Sequence, residues 1–562
     1  MYALPMNAKA DNKYLGIFVL LTSVAVCLLV DPVNSIDPVN LPKLCLLVIL
    51  SFITTGLTFS KFEYFKLKKN RMALSIIGLF VLQLVIVLLL DSRDFSAKFY
   101  GTYGRNTGFI AYLSLTFILV ACMVSASELL IRRYLLAIIG CGSILSFYGI
   151  AQSKGYDFYQ FELGIGTRTF GSFGNSNFQS AFMGIVAAAS LTLLIFSRIN
   201  VFSKLVLLLL TVFSIYNIAL SSQQGYFNFT AGILSAVLIF LFRLTKLIFA
   251  WIALTFSIVG TYMVFLGVFN SGPLASIIYK SSLQARDFYW TAAVEMMHRQ
   301  PLFGVGMDGY GEFYLRSRTN EIASYNPGIS SDSAHNIPLD IGSNGGVPLL
   351  LIYFAIIFYV LISIVRMMRR SNEFNPYFAS IVAAWVAYEV QSLISINQLG
   401  LGIWGWSLSG LIIGYELNTR TDSLVKPNKT TNKEIISSQK ISFHSFALII
   451  AITVTGIAIS VPPYLAATKF YSALQSGDAN IIEHAAYLKP YDRARFSYVA
   501  QILQENKLES RAIVVLRDAT NIYPDSIELW RRWSSIPSAK PAEISQAREE
   551  IKRLDPFNPD LK

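Results

Sequence analysis

Thirteen apolar runs constrain this chain more than any other feature, each close to the roughly 20 residues a helix needs to cross a bilayer core about 30 Å thick. They lie near 14–30, 42–60, 72–90, 109–127, 134–153, 177–197, 205–221, 226–242, 247–269, 346–365, 377–396, 401–416 and 445–465. In hydrocarbon a backbone must satisfy its own polar groups, and for runs this long and continuous the helix is the solution. Of the 562 residues 54% are hydrophobic and 14% charged, against about 25% charged in a soluble domain. A soluble globular enzyme is excluded. The first run has the length of a signal-peptide core. No convincing small-residue cleavage site follows Asp31, and a second span arrives at once, so it reads as a retained anchor. Cys27, Cys45, Cys122 and Cys141 all lie inside apolar runs without the paired spacings of a zinc site or a disulfide framework.

The formal charge of +12 is explained by topology. If the N-terminus with Lys9 and Lys13 is cytoplasmic, the same side collects Lys66, Lys68, Lys69, Arg71, Arg132, Arg133, Lys246, Arg366, Arg369 and Arg370, together with the lysines of 417–444. The opposite short loops hold only Lys43, Arg93, Lys98, Arg105, Lys154 and Arg168. This is the positive-inside bias, and it leaves no basic patch to explain by nucleic-acid binding. The expected organisation is membrane helices over 1–269, an outer loop over 270–345, further membrane helices over 346–465 and an outer tail over 466–562. In the tail, Lys489-Pro490-Tyr491-Asp492, Tyr523-Pro524-Asp525 and Asp555-Pro556-Phe557-Asn558 recur at spacings of 34 and 32 residues, with amphipathic stretches such as 500–519 between them. That period resembles the tetratricopeptide repeat; a plain helical cap is the competing reading.

Polar clusters at the outer ends of spans are where chemistry is to be sought. Gly101-Thr102-Tyr103-Gly104-Arg105-Asn106-Thr107-Gly108 leads into span four, and Arg168-Thr169-Phe170-Gly171-Ser172-Phe173-Gly174-Asn175-Ser176-Asn177 into span six. Each combines an arginine with glycines and amides, so that backbone and guanidinium could approach a phosphate oxygen together; glycine turns with a snorkelling arginine are the plain alternative. In the outer loop, Arg286, Trp290, Ala293 and Met297 share one helical face ahead of Pro301-Leu302-Phe303-Gly304-Val305-Gly306. Ser333-Ala334-His335-Asn336-Ile337-Pro338-Leu339-Asp340 then runs to Gly346 at span ten.

These elements resemble the O-antigen ligase family of bacterial envelope proteins, which also holds O-antigen polymerases and protein O-oligosaccharyltransferases. The family pattern is an Arg-x-x-x-Leu/Trp helix, a Pro-Leu-x-Gly-Val-Gly turn and a His-Asn-x-x-Leu-Asp segment ending in Gly. Arg286, Trp290, Pro301, Leu302, Gly304, Gly306, His335, Asn336, Leu339, Asp340 and Gly346 fill it in order. The 168–177 stretch resembles the family's Arg-x-x-Gly-x-Phe-Gly-Asn-x-Asn element. One departure is Ser222-Gln223-Gln224-Gly225, where the family commonly has Ser-Arg-x-Gly, so a cation is missing from the outer end of span seven.

The resemblance implies an all-α, GT-C-like polytopic bundle in the bacterial cytoplasmic membrane. It also implies metal-independent transfer, with inversion, of a polyprenyl-pyrophosphate-linked glycan to a glycan, lipid or protein acceptor. No cofactor and no metal are expected. Such a donor carries a good leaving group, and the enzyme must add a base for the acceptor hydroxyl and cations for the departing charge. A histidine titrating near ~6.5 suits the first task. On the residues alone His335 is equally a hydrogen-bonded residue at a helix start; the resemblance assigns it to catalysis with Arg286. It assigns Arg168, Arg105, Asn175 and Asn177 to the pyrophosphate, and Asn336, Asp340 and Trp290 to support. Asp287, Asp308, Asp332 and Asp340 are the acidic alternatives, with Asp332 expected to cap the helix after His335 and Asp340 to orient polar groups. Glu389, in an apolar span, is a functional candidate or the partner of a basic group between helices. A polymerase shares every motif. A lipid-linked glycan transporter is the competitor from another class, opposed by the long histidine-bearing loop and by the lack of a repeated second half.

Overall fold

The computed structural model describes residues 13–157, 168–244, 247–278, 281–325, 327–371, 373–420 and 443–558. Lys9, Lys246 and the lysines at 426, 429, 433 and 440, which carry part of the orientation argument, lie outside the described residues. Each of the thirteen runs is a helix, from Lys13–Leu28 and Asn40–Phe59 to Leu399–Asn418 and Phe443–Ser476. Among the described residues nine helices are long and apolar enough to cross a membrane, and Tyr14–Leu28 and Phe109–Ser125 are shorter apolar helices. No strand occurs among the described residues. The protein is an all-α polytopic membrane bundle.

Burial sorts the helices into a centre and a shell. Ser176–Phe196 has 83% of its apolar window buried, whereas Ile248–Val268 has 6%; the first is packed on all sides and the second turns almost its whole circumference to lipid. Leu399–Asn418 is buried nearly throughout and packs along Phe109–Ser125. The reason lies in its sequence. At Gly410 and Gly414, one turn apart, any side chain would run into the carbonyls of Leu119 and Met123, so the two backbones touch as small-residue pairs allow in membranes. Lys43 donates from Nζ to the carbonyls of Val26 at 2.9 Å and Cys27 at 2.7 Å, capping the first helix at its negative end. At the other end of the bundle Glu416 takes Arg370 at 3.3 Å and Arg420 at 2.7 Å.

The tail is a succession of short helices, Ala479–Ala486, Arg493–Glu505, Glu509–Ile522, Ile527–Ser534 and Pro541–Leu554, each packed on the next. They share a core that includes Phe496, Leu503, Leu516, Trp530 and Trp533. Pro490 and Pro524 fall between helices and Pro556 after the last, as helix breakers should. The 500–519 stretch, read as one amphipathic run, is broken at Asn506–Leu508, where Lys507 takes φ 63°. The tail is docked rather than tethered. Arg318 of the 270–345 loop and Asp555 of the tail form an ion pair at 2.8 Å, fully buried on both sides. Arg316–Asp525 at 3.2 Å and Glu312–Arg493 at 3.1 Å flank it.

Candidate active site

His335 sits two residues before the helix Ile337–Arg370, in a left-handed backbone conformation at φ 51°. The helix is capped by Asn336, whose Oδ1 accepts from the Leu339 N–H at 3.0 Å, while its Nδ2 donates to the Leu393 carbonyl at 2.8 Å. Asp332 therefore does not cap this helix. It pairs instead with Arg105, Nη1 to Oδ1 at 3.1 Å. Asp340, one turn into the helix, accepts the Ala334 N–H on Oδ1 at 2.7 Å, which closes the turn that presents His335. Freed from capping, the imidazole lies against Tyr289, ring centroids 5.3 Å apart and 27° from parallel, and no side-chain hydrogen bond to its nitrogens is formed among the described residues.

Tyr289 belongs to the helix Ser281–Arg299, three residues after Arg286, so both side chains leave the same face. Its position is set from behind: Tyr310 donates its hydroxyl to the Tyr289 carbonyl at 2.7 Å, and the Tyr314 ring packs edge-on at 5.7 Å. Arg286 has no carboxylate partner among the described residues; burial pulls its pKa below the ordinary guanidinium value. Burial also lowers the pKa of His335, and the nearby charges of Arg286 and Arg105 lower it further, to about 4. At neutral pH the imidazole is thus uncharged and able to accept a proton.

Arg105 arrives from the loop between Phe95–Tyr100 and Phe109–Ser125, and Asp308 places it. That carboxylate accepts from Thr102 N at 2.8 Å, Thr107 N at 3.1 Å and Thr107 Oγ1 at 3.0 Å, and lies 3.5 Å from Arg105 Nε. Gly101, at φ 89°, lies so close to Asp308 that any side chain there would meet its carboxylate. The glycine-rich loop does cradle an anion with its N–H groups, but the anion is Asp308. Burial opposes the charge on Arg105, yet Asp332 and Asp308 together hold its pKa above the ordinary guanidinium value.

The Pro301–Gly306 turn folds back onto the same helix: Val305 N donates to the Ser343 carbonyl and Val347 N to that of Pro301, both at 2.8 Å. Gly346, at φ 80°, kinks the helix there and leaves room for Leu302. Trp290 is packed against Phe269, centroids 5.9 Å apart, with its buried Nε1 unpartnered among the described residues.

No hydrogen bond, ion pair or ring contact joins the 168–177 element to His335 among the described residues. Arg168 is exposed. Asn175 Oδ1 accepts from Asn177 N at 2.8 Å and caps Ser176–Phe196. Its link to the site is indirect: Gly174 lies against Val39, and Asn40 Nδ2 donates to the Gly104 carbonyl at 2.6 Å. At the departure Ser222–Gly225, Gly225 N donates to Ser180 Oγ at 2.9 Å, so the turn is tied to the central helix. Glu389 lies apart, in a small space with Tyr353, Tyr388 and Trp406, and no basic group pairs with it among the described residues. Sequence assigns no role to Tyr289 and places Asp308 only among the acidic alternatives. The three-residue step from Arg286 was the available signal for Tyr289; nothing local marked Asp308 as the residue the glycine loop would enclose.

Residues 169–354 match the model of a protein family described as O-antigen ligase. The chain carries an O-antigen ligase domain. His335, Arg286, Trp290, Asn336, Asp340, Asn175 and Asn177 fall inside the match, Arg168 directly precedes it, and Arg105, Glu389 and the tail lie beyond it. No curated protein matches the chain. The O-antigen ligase match and the apolar helices together support a multi-pass membrane protein that carries a domain of the glycan-transferring ligase and polymerase family.

Proposed function

We propose that the O-antigen ligase domain transfers a glycan from polyprenyl pyrophosphate to an acceptor hydroxyl on the outer face of the bacterial cytoplasmic membrane. The observation that carries this reading is geometric: the His335 imidazole, with no side-chain hydrogen bond among the described residues, stacks on Tyr289 within the fields of Arg105 and of Arg286, which has no carboxylate partner among the described residues. His335 takes the acceptor's proton as the oxygen bonds to the anomeric carbon. The bond from that carbon to the pyrophosphate breaks, and the departing charge is met by Arg286 and Arg105. In this reading Arg168, exposed on the 168–177 element, and Asn177 meet the donor's outer phosphate, while Asn175 is spent as a helix cap. Asn336, Asp340 and Trp290 support the histidine loop and the arginine helix.

Donor binding also tunes the base. The cations that depress His335 are those a pyrophosphate would neutralise, so its basicity rises when the donor is seated. The tail, docked beside the site, holds the acceptor and does no chemistry of its own. Ligase and polymerase differ only in whether that acceptor is a different molecule or another copy of the glycan. Purified protein in lipid nanodiscs, given a polyprenyl-pyrophosphate glycan and a set of candidate acceptors, tests the reading by mass spectrometry. Mass gain by one acceptor, lost in His335→Ala, is expected. Movement of the lipid-linked glycan across the bilayer without any mass gain would establish a transporter instead.

A further inference from the structure

An open cleft of about 900 Å³, surrounding solvent included, lies between the tail and the outer ends of the membrane helices. One wall is the 96–106 segment, the other the tail turn at 490–495 with Tyr523 and Glu528. Two polar side chains on opposite walls are almost wholly buried and incompletely bonded. Asn106 is 3% exposed and Arg495 5%, and neither Asn106 Oδ1 nor Arg495 Nη1 has a partner among the described residues. Buried polar atoms are ordinarily bonded, and an exception calls for an explanation.

We infer that this cleft binds an uncharged oligosaccharide segment, a few sugar units from the bond that reacts. The chemistry of the walls carries the inference. Tyr103, Tyr491 and Tyr523 provide aromatic surface with polar tips, which suits the apolar faces and ring hydroxyls of sugars. The charges are largely balanced within the wall: Arg493 is paired with Glu312 at 3.1 Å, and Asp492 lies close enough to Arg495 to offset its charge. What remains is neutral hydrogen-bonding capacity, matched to hydroxyl groups better than to phosphate or a sugar acid. The cleft also abuts the reaction site. Arg105 and Asn106 are consecutive; the first reaches Asp332 beside His335, the second lines the cleft. The left-handed backbone at Asn106, φ 57°, turns the two side chains apart.

The inference rests on the glycan-transfer reading, but its test does not depend on catalysis. The probe is the glycan freed from the host's polyprenyl-pyrophosphate donor by mild acid, titrated calorimetrically into the full-length protein in nanodiscs. Saturable binding is expected, weakened at least tenfold by Arg495→Gln and equally by Ser96→Trp, which fills the cleft from the opposite wall and leaves the tail's own core untouched. Absence of saturable binding to the parent protein overturns the site and leaves both buried atoms to water. So does binding by the Ser96→Trp protein within twofold of the parent, or displacement of the glycan by inorganic pyrophosphate, which would mark an anion site. A transfer-competent His335→Ala protein would refute the catalytic reading and leave these binding results standing.

Discussion

His335 is useful because its surroundings keep it neutral, and that gives its behaviour a definite sign. Burial and the charges of Arg286 and Arg105 lower its pKa to about 4, against about 6.5 in an unfolded chain. Between those values the unfolded chain binds more protons, so the contribution of this residue to stability is complete above about pH 6.5 and is lost as the pH falls towards 4. In kcat/KM, which reports the free enzyme, the acid limb is expected nearer pH 4 than 6.5. The chain has four histidines, few enough for imidazole nitrogens to be followed by NMR. Arg286→Gln should move the His335 titration upward, and added pyrophosphate should do the same in the parent; a titration unmoved by either would remove the arginines from the site. His335→Ala should abolish transfer while the protein still accumulates in the membrane, since no core packing is lost. Arg286→Lys should cost about a hundredfold or more, because a point charge cannot reproduce a two-pronged phosphate contact, and near-parental transfer would argue against that contact.

Between elements, the decisive contacts join segments far apart in sequence. Asp308 closes the 101–107 loop and thereby sets Arg105. Gly101→Ala adds a methyl group where that carboxylate lies and strains a backbone at φ 89°, a cost of about 1–3 kcal/mol. Transfer should fall about tenfold or more while the membrane helices melt as in the parent. Unchanged kcat/KM would mean that Arg105 does not need this loop. Arg318 and Asp555 form the second such joint. Breaking a fully buried pair from one side costs about 3–5 kcal/mol, so Asp555→Asn should release amide protection in Tyr310–Ser317 and Pro541–Leu554 together, as read by hydrogen exchange. Loss confined to the tail helix would show the two elements to be uncoupled.

For the whole molecule, docking changes what the tail can be expected to do. Sequence alone treats residues 466–562 as a helical module whose removal spares the membrane fold and costs efficiency or acceptor choice. Yet Ile527 packs against the cluster of the 270–345 loop that contains Tyr310 and Tyr314, and those two tyrosines hold Tyr289 beneath His335. A chain ending at 477 should therefore keep its membrane helices but lose transfer to small soluble and native acceptors alike; a loss limited to the native acceptor would restore the simpler picture. Orientation is testable separately. The four native cysteines are buried, so Lys540→Cys should react with an impermeant maleimide from the outer side only, and labelling from the cytoplasm alone would reverse the topology.

The apolar runs determined, without any structure, that this chain is a helical membrane bundle, because hydrocarbon leaves the backbone no other satisfied arrangement over such lengths. The order and spacing of Arg286, Trp290, the Pro301–Gly306 turn, His335 and Gly346 likewise pointed to the O-antigen ligase family, since these are local patterns carried on single elements. What a local pattern cannot contain is which distant group fills a given concavity. The 101–108 loop reads as a phosphate cradle and is filled by Asp308, some two hundred residues on; Asp332 reads as a helix cap and pairs with Arg105. The tail's prolines mark where its helices stop, but the ion pair at Asp555 that seats it, and the cleft this leaves beside Asn106, exist only because tertiary packing brings the two ends of the chain together.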